Sequence, residues 1–386
     1  MRSFDIPDIY KSNLIAELKN KRKKEDPLKK DFTPSSLTLG TRTFIIPRHF
    51  GFCFGVENAI ERAYRAVREN PGKRIFLLSQ MIHNPVVNKD LEENGIRFLQ
   101  DTKGNELHPI DDVTADDVVL IPAFGTTVDL ENILSAKGVD LKSYNTTCPF
   151  VEKVWKRSAK LGEGEHTILI HGKPSHEETR ATFSQANKTG KALVLKDMAE
   201  AKLLGEMVLS QSFDDFDALF SHRASAGFDP KLDLKKIGVV NQTTMLAEDT
   251  QAIADYFKTI FTEIHGTEVK NFFADTRDTL CYATNDNQTS TYSLLDEKAD
   301  VAIVVGGYNS SNTSHLVELL EKKFETYFVK GPEEFEMNDV HHFDMHQKKV
   351  VTTEIDWSTK NTVIVTSGAS CPDSLLEDVI RKIAEL

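Results

Sequence analysis

The feature that most constrains this chain is an internal threefold repetition. From Thr43 onward, short apolar strand signals alternate with helical patterns, the signature of parallel α/β units. Each round opens with a strand signal and then a cysteine at the start of a helical pattern: Thr43 to Pro47 before Cys53, Leu141 to Tyr144 before Cys148, and Asn271 to Ala274 before Cys281. Each continues with a strand that empties into a polar loop: Ile75 to Leu78 before His83-Asn84, Thr167 to Ile170 before His176-Glu177-Glu178, and Val301 to Val305 before Asn309-Ser310-Ser311-Asn312. A further strand then ends in small or hydroxyl residues, at Gly125-Thr126-Thr127, at Gln242-Thr243-Thr244 and at Ser367-Gly368-Ala369-Ser370. Ligands of parallel α/β sheets sit at the carboxyl ends of strands, so loops from all rounds are expected to converge on one central site. The pattern predicts an α/β protein of three similar lobes with parallel sheets around a central cavity, related by a pseudo-threefold axis, with lobes at 43–147, 148–277 and 278–386.

At 386 residues the chain has room for two or three domains of roughly 100 to 200 residues. The stretch 1–42 is polar, with a basic run from Lys19 to Lys30, and reads as an extension outside the main fold. The bland reading of this basic run is a solvated tail; the sharper one is docking of an acidic partner. A formal charge of −12 argues against nucleic acid or an anionic membrane surface as the main partner, but not against a small anion bound at helix N-termini. No apolar run approaches the roughly 18 residues needed to cross a bilayer. The acids Asp5, Asp8, Glu17, Glu25 and Asp26 are unlike an organelle transit peptide, so a cytoplasmic location is expected.

Four cysteines in so long a chain are too few and too dispersed for a disulfide framework. Singly, a cysteine is more often a small buried apolar residue than a ligand. Three at matching helix starts reverse that expectation, because a helix N-terminus lowers a thiol's pKa and favours the thiolate. Pro149 strengthens the helix start after Cys148. The three lack the paired Cys-x-x-Cys spacing of structural zinc sites. An iron–sulfur cluster suits them better, and a four-iron cubane with three protein ligands keeps one iron open as a Lewis acid. Cys371 reads as ordinary packing.

The segments Gly51-Phe52-Cys53, Ile82-His83-Asn84-Pro85, Thr147-Cys148-Pro149, His176-Glu177-Glu178-Thr179, Asn241-Gln242-Thr243-Thr244, Cys281-Tyr282-Ala283-Thr284, Asn309-Ser310-Ser311-Asn312 and Ser367-Gly368-Ala369-Ser370 resemble the 4-hydroxy-3-methylbut-2-enyl diphosphate reductase family. They fall in the family's order from about Thr43 to the C-terminus. The segments around Gly227-Phe228-Asp229-Pro230 and Pro122-Ala123-Phe124-Gly125 look like its plant and cyanobacterial branch. The resemblance implies a trilobed α/β oxidoreductase that ends the non-mevalonate isoprenoid pathway. It further implies a 4Fe–4S cluster on Cys53, Cys148 and Cys281, ferredoxin or flavodoxin as electron donor, and isopentenyl and dimethylallyl diphosphate as products.

Residue by residue, the resemblance makes Glu178 the proton source and Thr243 its relay hydroxyl. It makes His83, His176, Ser310, Asn312 and Ser370 the grip on the diphosphate, supported by Ser311 and Thr244. The residues alone leave other readings open: Glu178 as a first-turn helix acid, and Thr243, Ser310 and Asn312 as helix caps. Many bacterial members carry histidine where this chain has Phe124, so one imidazole donor to the diphosphate is missing here, with Thr126 and Thr127 as candidate substitutes. A cluster-dependent dehydratase, needing no external electrons, and an iron–sulfur sensor or metal-binding scaffold, needing no His83, His176 and Glu178 set, are the competing readings.

Overall fold

Residues Val301–Val305 form a strand, β10, that is apolar at every position, and such a strand is buried throughout only where both faces of its sheet are covered. The computed structural model describes residues 4–274 and 281–386. It divides into two units, one of Met1–Glu61, Ile82–Asp90 and Tyr282–Leu386, the other of Arg62–Met81 and Leu91–Cys281.

The first unit holds a sheet in the order β1 (Ser35–Leu39), β2 (Arg42–Ile46), β14 (Thr362–Ser367), β10, β11 (Thr326–Val329). Its pairings are parallel except β1 with β2. The two-residue period of a strand splits its side chains between two cores. Phe44, Ile46, Ile303, Val305, Val363 and Val365 meet α1 (Asn13–Glu25) and α13 (Asp373–Glu385), whereas Ile45, Ala302, Val304 and Ile364 meet α11 (Tyr282–Leu294) and α12 (Ser311–Leu320). A hairpin, β12 (Asp339–Asp344) and β13 (Lys349–Glu354), completes the unit's strands.

The second unit holds two sheets. One runs β4 (Ile96–Phe98), β3 (Ile75–Leu77), β5 (Val118–Leu120); the other runs β7 (Ala192–Leu195), β6 (Thr167–His171), β8 (Ile237–Asn241), β9 (Phe273–Ala274). All their pairings are parallel. In the larger sheet Leu169, Leu193, Ile237 and Val239 pack on α7 (Met198–Ser210) and α10 (Ala247–His265). Its opposite face, with Ile168, Ile170, Val194 and Val240, packs on α5 (Pro149–Glu163) and on Ala186 of α6 (Glu177–Ala186).

One topology is used in the three sheets that carry parallel strands. The first strand of each round is central, the second flanks it on one side and the third on the other: β4-β3-β5, β7-β6-β8 and β11-β10-β14. Beyond the third strand lies the segment that precedes a cysteine, namely β9 beside β8, β2 beside β14, and a parallel bridge from Ile121, just after β5, to Asn145. The repeat is thus cyclic. The strand before Cys53, expected to open the first round, pairs in the sheet of the last round. The limit expected between 277 and 278 lies outside the described residues, as does Leu280 before Cys281.

The N-terminal stretch packs into the first unit, while most of its basic run is solvated. Ile15 of α1 is fully buried in the first unit's core, with Leu18 packed against it, and β1 closes the sheet edge by antiparallel pairing with β2. Apolar residues at 15 and 18 share one helix face, and the surrounding lysines mask that stripe in a compositional reading. Among the described residues no helix is long and apolar enough to cross a membrane.

Candidate functional site

In the first unit three loops meet. Ser310 caps α12, its Oγ accepting from the Thr313 N–H at 3.3 Å and from the Thr313 hydroxyl at 2.8 Å. The Ser370 hydroxyl donates to the His83 carbonyl at 3.2 Å and lies 3.5 Å from Ser310 Oγ. Asn312 Oδ1 accepts from the Ala369 N–H at 2.9 Å, and the Cys53 N–H donates to the Ala369 carbonyl at 3.3 Å. This tight approach requires glycine at two places. A Cβ on Gly307 would lie 2.4 Å from the His83 carbonyl oxygen, and one on Gly368 would lie 2.0 Å from Thr313 Oγ1. Cys53, His83, Ser310, Ser311, Asn312 and Ser370 are therefore brought together.

The cap reading of Ser310 and the anion reading coexist, because both use the exposed N–H groups of a helix start. What favours an anion is that Ser311 Oγ, Asn312 Nδ2 and Asn84 Nδ2 are buried without a hydrogen-bond partner. A buried unpaired polar group costs about 1–3 kcal/mol, and the oxygens of a bound diphosphate would offset that cost.

The second unit gathers the acid–base residues. Glu178, at the start of α6, is 1% exposed. The Thr243 backbone N–H donates to its Oε1, and the Thr243 hydroxyl donates to its Oε2 at 2.8 Å. Burial raises the carboxyl from its ordinary value near 4.5 to about 7, against the two Thr243 bonds that pull it down. Thr243 is not a helix cap; Leu246 occupies that position for α10.

His176 caps α6, its Nδ1 accepting from the Glu178 N–H at 3.1 Å. That bond leaves the proton on Nε2, so the neutral ring presents a donor from Nε2. Phe124 packs edge-on against this imidazole, ring centres 5.4 Å apart. The Cys148 N–H donates to the Ala123 carbonyl at 2.9 Å, which mirrors the bond from Cys53 to Ala369 and ties the second cysteine to the Phe124 loop. Thr127 caps α4 (Val128–Ala136) without a side-chain bond, and Thr126 is buried.

Gln242 was not among the expected site residues, although it lies in the Asn-Gln-Thr-Thr segment. It is fully buried; its Oε1 accepts from the Lys173 N–H and the Thr179 hydroxyl, each at 3.0 Å, and its Nε2 donates to Thr244 Oγ1 at 2.6 Å. It thereby fixes the loop carrying Thr243 and aims Thr244. A long polar side chain at a strand end, beside two threonines, is the only signal the sequence offered.

Cys53, Cys148 and Cys281 directly precede α2 (Phe54–Glu69), α5 and α11 respectively, so each thiol stands at the positive end of a helix. Each thiol is thus of the donor type that a cluster held by thiolates requires. Cys371 differs: it is fully buried, and burial pushes its thiol far above the ordinary range, which suits packing and not ligation. Among the described residues no group of three or more His, Cys, Asp or Glu is arranged around a single metal ion.

Parallel sheets with cysteine-headed helices, a buried carboxyl on a hydroxyl and a donor-rich helix start define an α/β protein equipped for acid–base chemistry and anion binding, and the named relatives below make it an oxidoreductase. The family described as LytB protein matches residues 44–384. Proteins named 4-hydroxy-3-methylbut-2-enyl diphosphate reductase are similar over most of the chain. The one from Synechococcus sp. (strain WH7803) is 39% identical over 345 residues, 88% of this chain and 84% of its own length. That from Prochlorococcus marinus (strain MIT 9301) is 36% identical over 397 residues, 100% of this chain and 95% of its own. The chain belongs to the LytB family. Two solved reductase structures share its fold. One, described as the terminal enzyme of the non-mevalonate pathway, has a TM-score of 0.53 at 24% identity, covering 89% of this chain and 99% of its own. The other, from Plasmodium falciparum, has a TM-score of 0.63 at 22% identity, covering 86% and 85%.

Proposed function

We propose that the chain reduces 4-hydroxy-3-methylbut-2-enyl diphosphate to isopentenyl and dimethylallyl diphosphate, the last step of the non-mevalonate isoprenoid pathway. The reaction breaks the C–O bond of the allylic alcohol, consumes two electrons and two protons, forms one C–H bond and releases water. The observation that carries this reading is the Glu178–Thr243 pair: a buried carboxyl near 7 that keeps a proton to give at neutral pH.

Cys53, Cys148 and Cys281 would hold a 4Fe–4S cluster, which when bound supplies the electrons and a Lewis-acid corner for the alcohol. Glu178 holds the proton, and the Thr243 hydroxyl, free to rotate, passes it on. Two protons are needed, one for the departing hydroxyl and one for carbon; which allylic carbon receives the second decides between the two products. His83, His176 through Nε2–H, Ser310, Ser311, Asn312, Ser370 and Thr244 grip the diphosphate through hydrogen bonds. The edge of Phe124 helps to fix the orientation of the His176 ring. Ferredoxin or flavodoxin is the electron donor in this reading.

The test is anaerobic purification with iron and sulfide assay, Mössbauer spectra with and without the diphosphate, and turnover with a reduced donor. Both products, formed only when reductant is supplied, are expected. Turnover without any donor would favour a cluster-dependent dehydratase, and no product under reducing conditions would end the proposal.

A further inference from the structure

The N-terminal stretch does more than close a sheet edge, because its side chains rest on both flanks of Cys53. Phe4 lies edge-on to Phe54 at 5.0 Å, Tyr10 to Phe52 at 5.8 Å, and Phe32 against His49 at 5.5 Å. Lys19 Nζ stands 4.6 Å over the Phe50 ring and 2.7 Å from Asp373. A Cβ on Gly51 would touch both Lys19 and Asp373. The polypeptide between solvent and the Cys53 loop on this side is thus α1 and its flanks.

That cover is strongly basic. Between Lys19 and Lys30, seven of twelve residues are basic and two acidic, in a chain whose total charge is −12. The acids are already matched: Glu25 and Asp31 pair with Arg22, and Asp26 with Arg48. Lys21, Lys23, Lys24 and Lys30 are exposed and carry no ion pair among the described residues. Beside them Leu28 is 75% exposed, an apolar anchor amid cations.

We propose that this surface is the docking site for the electron donor, a small acidic one-electron carrier protein. It rests on the reductive reading above. A chain of net negative charge repels an acidic carrier on average, and a local basic patch on the segment that packs against the Cys53 loop steers it toward one of the residues proposed to hold the cluster. Two encounters supply the two electrons that the C–O cleavage consumes.

The test compares wild type with the triple variant Lys21→Glu, Lys23→Glu, Lys24→Glu and its Gln counterpart, all loaded with cluster, using a two-iron ferredoxin of net negative charge as probe. Calorimetric binding to the charge-reversal variant is expected to weaken at least about tenfold at low salt, with the Gln variant in between. Wild-type binding is expected to weaken steeply between about 20 and about 200 mM salt. The KM for ferredoxin should rise in step, while turnover driven by dithionite-reduced methyl viologen stays at the wild-type rate. Unchanged affinity in the Glu variant, or wild-type affinity insensitive to salt, overturns the proposal even if a variant folds poorly, since the salt titration needs no variant. Failure of wild-type turnover with viologen would instead strike at the reductive reading.

Discussion

Replacing Glu178 by glutamine tests the acid–base pair most directly, because the two side chains have nearly the same shape. The amide oxygen still accepts the Thr243 N–H, and the amide nitrogen donates to a Thr243 hydroxyl that rotates to accept. What disappears is the proton. The carboxyl rises from 4.5 to about 7, so at pH above 7 the native fold bears the cost of burying a charge, about 3 kcal/mol at roughly 1.4 kcal/mol per unit. The sign follows from proton binding: between the unfolded and folded values the native state binds more protons, so stability is fully present below about 4.5 and is lost as pH climbs toward 7. Glutamine has no such slope. Between pH 5 and pH 8.5 the linkage amounts to about 2.5 kcal/mol, so thermal unfolding should show wild type losing up to about 5 to 10 °C relative to the variant for a unit of this size. Turnover of the variant should fall by about 10²–10⁴, and the decline of wild-type kcat above pH 7, where the acid loses its proton, should vanish. Near-normal turnover, or equal pH slopes in both proteins, would refute the assignment of Glu178 as proton donor.

Thr243→Val removes one of the two bonds that hold the carboxyl down, so the alkaline limb of the kcat profile should move to higher pH while kcat falls. Cys53→Ser should lose or destabilise the cluster, seen as loss of iron and visible absorbance, whereas Cys371→Ala should keep the wild-type iron content at a stability cost of about 1 kcal/mol. Gly368→Ala places a methyl 2.0 Å from Thr313 Oγ1, so the loop must shift; substrate KM should rise at least about tenfold with iron content unchanged. Asn312→Ala frees the Ala369 N–H and should likewise raise KM more than it lowers kcat.

The sequence by itself determined the repeating units and the positions of their cysteines. Short apolar runs at 168–170 and 301–305 and proline or hydroxyl residues at helix starts are local signals, and the elements formed there. It also marked Glu178 and Thr243, since the resemblance rests on short segments that survive one-dimensional reading. Tertiary structure decided what depends on partners distant in the chain. The strand before Cys53 has no local property that chooses its sheet; pairing with β14, more than 300 residues later, makes that choice. The lysines of α1 hid an apolar stripe that is visible only once α13 is there to cover it. Glu178 reads equally as a helix acid until burial and the Thr243 bonds, made 65 residues away, set its proton affinity. Residue spacing carries periodicity, whereas desolvation and pairing belong to the neighbours that folding supplies.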